Sequence, residues 1–205
     1  MELMEAISHR RSVRTYTDEP VPQATVMELL GAATWAPSAV NQQPWAFGVI
    51  RGRRQLELYS ERAKLHLLAT LPQSLSLHQR SDQLTSSSYN VFHRAGTLIV
   101  IFAKPAAHDP IEDCCLAAEN LMLAAHGLGL GSCPIGFVRP WLNLPEIKYE
   151  LGIPLKYQAV MPVVIGWPSG RTAPVPRREP EIVRWWEYPD APSSRAGGPA
   201  PGDPA

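Results

Sequence analysis

Ala36-Pro37-Ser38-Ala39-Val40-Asn41-Gln42-Gln43-Pro44-Trp45 is the stretch on which the reading of this chain turns. It joins a helical pattern to an apolar run, and two prolines fix its path. Small residues leave room for a close ligand approach. Ser38, Asn41 and Gln43 add neutral donors and acceptors suited to the edge of a heterocycle or a polyhydroxylated chain. An ordinary polar connection also uses Ser and Asn. It does not explain so many neutral hydrogen-bonding groups held between fixed prolines and a tryptophan.

Upstream lies a different chemistry, His9-Arg10-Arg11-Ser12-Val13-Arg14-Thr15-Tyr16. In an extended segment alternate residues face one side, which places Arg10, Ser12 and Arg14 to converge on one ligand. Arginine forms bidentate bonds to phosphate, and a charge-assisted bond contributes about 1.5–3 kcal/mol. A solvated basic turn is the plain alternative, and the cluster alone does not decide between them. The whole chain carries 19 basic and 19 acidic residues. No net field therefore draws it to nucleic acid or to an anionic membrane, and any anion site must arise from local clustering.

The 205 residues, 45% of them hydrophobic, fit one globular domain with its own core. The opening residues lack a basic region followed by an apolar one, so no secretory signal is expected. The apolar runs at 97–103 and 160–165 are far short of a membrane span. Three cysteines, two of them adjacent, argue against a disulfide framework and for a reducing cytoplasm. His108, Cys114, Cys115, His126 and Cys133 form no metal-binding pattern, and no nucleophile motif of the G-x-S-x-G kind occurs.

Periodicity supplies the elements. Leu3, Met4 and Ile7 predict a short helix stopping near His9, and Val26, Leu29, Leu30 and Ala33 a second one. Residues 45–50 read as a buried strand, 53–68 as a helix, 97–103 as a core strand and 159–165 as a third strand. The longest helix is expected at 111–127, with Asp109 as N-cap and Pro110 at its first position. It is apolar on most faces, so it should be buried almost all round, in the core or at a subunit interface. Gly127-Leu-Gly-Leu-Gly131 imitates a dinucleotide fingerprint, but it follows a helix where that fingerprint must precede one. We read it as a helix stop. Residues 72–88 mix Ser, Gln, His and Leu without a period, and residues 189–205 have the composition of a disordered tail behind a domain at 1–188.

Taken in order, these pieces resemble the nitroreductase family of flavoproteins. R-R-S-x-R and A-P-S-A-x-N-x-Q-P-W look like its double signature. The helix at 113–125, the block Ser132-Cys133-Pro134-Ile135-Gly136-Phe137, the strand end Val164-Ile165-Gly166-Trp167-Pro168 and Pro176-Arg177-Arg178 are similar to its later blocks. The likeness spans residues 2 to 188. It implies an α+β fold, with a mixed, mostly antiparallel sheet of four or five strands between helices, and an intertwined homodimer with flavin between the subunits.

The resemblance also implies a set of ligands. Arg10 and Ser12 would hold the phosphate and ribityl oxygens of FMN, with Arg11 contributing and Arg177 or Arg178 completing the phosphate pocket. Arg14 would lie near the pyrimidine edge, with Asn90 as a further contact there. Pro37, Ser38, Ala39 and Asn41 would come from the partner subunit, with Gln43 nearby. Pro134, Ile135 and Gly136 would lie over the ring, their N–H groups near flavin N5 and O4. Trp185 and Trp186 would belong to a segment wrapping the partner. NADH or NADPH would donate hydride and a nitroaromatic, quinone or similar small acceptor would receive it, in ping-pong order, with no protein acid or base required. This chain lacks the Glu that some members carry between the Ile and Gly of the ring-contacting loop. Rival expectations are a flavin-fragmenting or reductive-dehalogenating relative, and a protein that stores or senses FMN without turnover.

Overall fold

The run Thr97–Ala103 (TLIVIFA) is buried at every position because both of its faces are covered. Leu98, Val100 and Phe102 join one core cluster, Ile99, Ile101 and Ala103 another. A strand covered on both sides reads as an unbroken apolar run instead of an alternating one. The computed structural model describes residues 2–70, 84–105 and 110–187. In it β1 (Trp45–Arg51), β2 (Thr97–Ala103), β3 (Gly131–Pro134) and β4 (Gln158–Gly166) form one sheet in the order β1-β2-β4-β3. Every strand pairing is antiparallel. The parallel component expected from the sequence reduces to a single bridge between Ser12 and Ser132.

Six α-helices, α1 (Leu3–His9), α2 (Gln23–Thr34), α3 (Arg53–Thr70), α4 (Pro110–Gly127), α5 (Arg139–Leu142) and α6 (Pro145–Glu150), and two short 3-10 turns at Ala39–Asn41 and Gly136–Val138 are found among the described residues. One face of the sheet packs on Leu56, Tyr59, Ala63 and Leu67 of α3, with Trp141 and Ile147 of the two short helices. The other face packs on Val26, Leu29 and Ala33 of α2 and on Cys114, Ala117, Leu121 and Ala125 of α4. The result is a layer of helix on each side of the sheet.

The helix stop at Gly127–Gly131 is a Schellman motif. Gly129 takes a left-handed φ of 77°, Leu130 N–H reaches Ala125 O at 2.8 Å, and Gly129 N–H reaches His126 O at 3.0 Å. Within one chain α4 is buried on one side only, since Ile111 and Leu116 stay exposed; the expectation of burial almost all round is not met by the monomer. Leu3, Met4 and Ile7 of α1 are likewise exposed, Ala6 being the buried residue of that helix. No helix among the described residues is long and apolar enough to cross a membrane.

The chain divides into two units between Pro174 and Val175. In the second, residues 175–187 are exposed and carry no helix or strand. Trp185 Nε1 donates to Glu187 Oε1 at 2.8 Å and the Arg184 guanidinium lies over the Trp186 ring. Expectations for residues 72–83, His108, Asp109 and the tail at 189–205 fall outside the described residues.

Candidate functional site

The basic segment is laid along the end of the sheet. After α1 stops, Val13 N–H donates to Ser132 O at 2.9 Å, Thr17 N–H to Trp167 O at 2.8 Å, and Ser169 N–H to Thr15 O at 3.1 Å. Beneath it, Gly131 and Gly166 are paired across β3 and β4. A Cβ on Gly131 would fall 2.7 Å from Val13 Cβ, and one on Gly166 would fall 2.8 Å from Tyr16 Cδ1. The two glycines are thus the seat for Val13 and Tyr16. The Tyr16 hydroxyl donates to Val13 O at 2.6 Å. Burial, then the neighbouring Cys133, push its pKa far above the ordinary phenol value, so it stays a donor.

Two clefts open along this segment. The first, about 380 Å³, is lined by His9, Arg10, Arg11, His126, Ser132 and Arg171 among others. Arg11 Nη1 is folded back onto Ser8 O at 2.7 Å and Arg10 O at 2.8 Å. Arg10 Nε is 3.5 Å from Glu119 Oε1, an ion pair without a hydrogen bond. Among the described residues, the buried side-chain nitrogens with no hydrogen-bond partner are Arg10 Nε, Arg11 Nε, His126 Nε2 and Trp167 Nε1. Residues carrying the first three line this one cleft. Buried nitrogens without a partner are rare in folded proteins and are ordinarily met by a ligand, an ion or water.

The second cleft, about 410 Å³, brings Arg14 together with Tyr16, Arg53, Asn90, His93 and Arg94. Asn90 has a structural duty as well, for its Oδ1 accepts from Phe92 N–H at 2.9 Å and Arg94 N–H at 3.2 Å. This fixes the turn in which His93 and Arg94 are both left-handed, φ 53° and 55°. His93 is pushed down to about 4, by burial first and then by Arg14, and is neutral at physiological pH. The wall is braced from α3, where buried Lys64 Nζ donates to Tyr89 O at 3.0 Å. Arg53 is occupied by Asp18 and by Thr17 O. Arg10 and Arg14, expected to converge on one ligand, line these two neighbouring clefts.

The loop that opened the sequence reading is held by a residue that reading passed over. Asp113, buried in the first turn of α4, accepts Ala39 N–H with both carboxylate oxygens, at 3.2 and 3.3 Å. Ser38 Oγ accepts Gln43 N–H at 2.9 Å, and Asn41 Oδ1 accepts Gln43 Nε2 at 3.1 Å. Val40, Asn41 and Gln43 all have positive φ, 44°, 55° and 47°. A β-branched residue in that region is strained by about 1–3 kcal/mol, and such strain gathers at functional sites. Pro37, Ser38, Ala39, Asn41 and Gln43 line neither cleft described above.

At the other end of β3 the expectation that three N–H groups reach a flavin ring narrows to one. Pro134 has no N–H, and Ile135 N–H is bonded to Pro162 O at 2.8 Å. Gly136 lies in a third cleft with Phe137, Arg139 and Asn143, and a Cβ added to it would meet only Arg139 Nε, at 3.9 Å. The buried thiols offer no nucleophile: burial drives Cys114 up to about 12 and raises Cys133 as well. Arg177 and Arg178 are exposed residues of the second unit.

Residues 7–167 match the nitroreductase family. A Methanothermobacter thermautotrophicus protein, provisionally named NADH dehydrogenase/NAD(P)H nitroreductase, is 31% identical over 79% of this chain and 80% of its own length. The FMN reductase [NAD(P)H] of Bacillus subtilis is 27% identical over 91% of this chain and 74% of its own. Among solved structures, a Bacteroides fragilis nitroreductase with bound FMN superposes with a TM-score of 0.78 at 27% identity, covering 91% of this chain and 100% of that one.

Proposed function

Because this chain belongs to the nitroreductase family, we propose that it binds FMN and works as an NAD(P)H oxidoreductase on small acceptors such as nitroaromatics or quinones. When bound, FMN supplies the redox chemistry by accepting hydride from the nicotinamide and passing reducing equivalents to the acceptor. The residues of the chain bind, orient and shield. Arg10 and Arg11 present buried N–H groups that lack acceptors, which suits a phosphate. Arg14 and Asn90 line the neighbouring cleft, where a guanidinium stabilises negative charge on a pyrimidine edge. Gly136 lines a cleft with Phe137 and Arg139, and a Cβ added to it would meet only Arg139 Nε, at 3.9 Å, which suits a close approach by a ligand.

The observation that carries this reading is the cluster of unpartnered Arg nitrogens in one cleft beside the Ser12–Ser132 bridge. The strained 38–43 loop lies apart from both clefts, and Leu3, Met4, Ile7 and Leu116 leave apolar side chains exposed. Both features support a homodimer in which that loop completes the partner's site. A single binding face serving donor and acceptor in turn gives ping-pong kinetics, with parallel double-reciprocal lines.

The experiment is to titrate flavin-stripped protein with FMN and with riboflavin, wild type beside Arg10→Ala. The substitution should weaken FMN at least tenfold, the equivalent of about 1.4 kcal/mol, and leave riboflavin nearly unchanged. Equal losses for both ligands would remove the phosphate assignment, and no binding of either would remove the proposal.

A further inference from the structure

The first cleft contains a titratable group that the proposed function does not use. His126 lies in the last turn of α4 and lines the cleft shared with Arg10 and Arg11, and its Nε2 is buried without a hydrogen-bond partner. The charged and titratable groups around it come from three elements. Glu5, His9, Arg10 and Arg11 belong to α1 and the segment after it, Glu119 to α4 itself, and Arg171 to the chain beyond β4. Glu119 is engaged with Arg10 and half exposed, so positive charge dominates the interior of the cleft.

We infer that His126 is a proton-dependent ligand for the phosphate of FMN, donating from Nε2 in its imidazolium form alongside Arg10 and Arg11. The inference rests on the proposed function for the identity of the anion. Without a ligand, burial and then His9, Arg10 and Arg11 pull His126 below the ordinary imidazole range, with only Glu5 opposing them. A phosphate monoester, doubly charged above a second pKa of about 6, reverses the sign of that surrounding field. The C-terminal end of a helix favours imidazolium too. Binding near neutral pH therefore takes one proton from solvent onto His126, and no covalent bond is made or broken. The added grip exists below the pKa of His126 in the complex and is lost as pH rises through it. Arg10 and Arg11 act at all these pH values.

The test uses the full-length protein stripped of flavin, with histidine ring resonances followed by NMR and His126 assigned by His126→Gln. FMN should raise the titration midpoint of His126 by about one unit or more, as an opposite charge at close range does, and riboflavin should leave it in place. His126→Gln should weaken FMN roughly fivefold to tenfold near pH 6.5 and less than about twofold near pH 8.5, with riboflavin unaffected at both. FMN that binds without moving the midpoint, or an equal loss at both pH values, overturns the inference and leaves the proposed function standing. Failure of both flavins to bind defeats the two together. The wild-type NMR titration keeps the inference testable even where the variant folds poorly.

Discussion

Replacing Gly131 by Ala is the sharpest probe of how the site is held. The new methyl would lie 2.7, 2.8 and 2.9 Å from Val13 Cβ, Cγ1 and Cγ2, where carbon contacts ordinarily lie at about 3.5–4.0 Å. Because Val13 Cβ is itself in conflict, rotating its side chain gives no relief; the backbone of the basic segment must retreat by about 1 Å. Overpacking of this kind costs about 1–3 kcal/mol. The same retreat loosens the Val13 N–H to Ser132 O bond, 2.9 Å in the native fold, for about 1 kcal/mol more. Urea unfolding should thus show a loss of about 2–4 kcal/mol at unchanged slope. FMN affinity should fall tenfold or more, because Arg10, Arg11 and Arg14 flank the displaced residue. Adding Val13→Ala should restore part of the stability and not all, since it removes the Cγ conflicts but keeps Cβ. A Gly131→Ala protein with less than about 0.5 kcal/mol lost and native FMN affinity would show that the segment does not rest on this glycine.

Three further outcomes are expected. His93 has a folded pKa of about 4 against an ordinary 6.5, so the unfolded chain takes up the proton first; stability should be full above about pH 6.5 and fall as pH drops toward 4. Asn tolerates the left-handed φ of this position, so His93→Asn should flatten the slope in denaturation series across that range, and an unaltered slope counts against the buried neutral imidazole. Asn143 accepts from Ala159 N–H at 2.9 Å and donates to Ala159 O at 3.0 Å; Asn143→Leu strands both backbone groups and should cost about 2–5 kcal/mol in chemical unfolding, whereas a loss under about 1 kcal/mol would mean that water replaces the amide. Leu116→Arg, on the exposed side of α4, should produce monomers by light scattering and shed flavin with them; monomers that keep a full complement of FMN would exclude a site built from two subunits.

Much of the fold was written in local patterns. The run TLIVIFA, the stop at Gly129 and the apolar stripe of α2 each announce themselves, because the forces that shape them act within a few residues. β3 does not. Gly-Ser-Cys-Pro has little strand propensity, and it is a strand because β4 pairs with it. The candidate site's residue types could be read from the sequence, and the clefts that hold them could not. Arg10 and Arg14 line different clefts, and what separates those clefts is the seating of Val13 and Tyr16 on Gly131 and Gly166, residues more than a hundred positions away in sequence. Asp113 escaped notice, and His126 was weighed only as a metal ligand, since each looks ordinary on its helix. Only the loop at Ala39 and the turn after His9, both distant in sequence, give them their meaning.

The glycine seat also has a bearing on biosynthesis. Val13 leaves the ribosome early, whereas its seat is not complete until Gly131 and Gly166 have been made, 118 and 153 residues later by subtraction of their positions. At about 5–20 residues per second, the arginine-rich segment waits roughly 6 to 30 seconds with nothing to lie on. A nascent chain short of β4 therefore has the guanidinium groups of the proposed cofactor site but no surface to order them. On the proposed assignment, flavin uptake is a late event in the life of the polypeptide, coupled to closure of the sheet, and truncated products are expected to lack the cofactor.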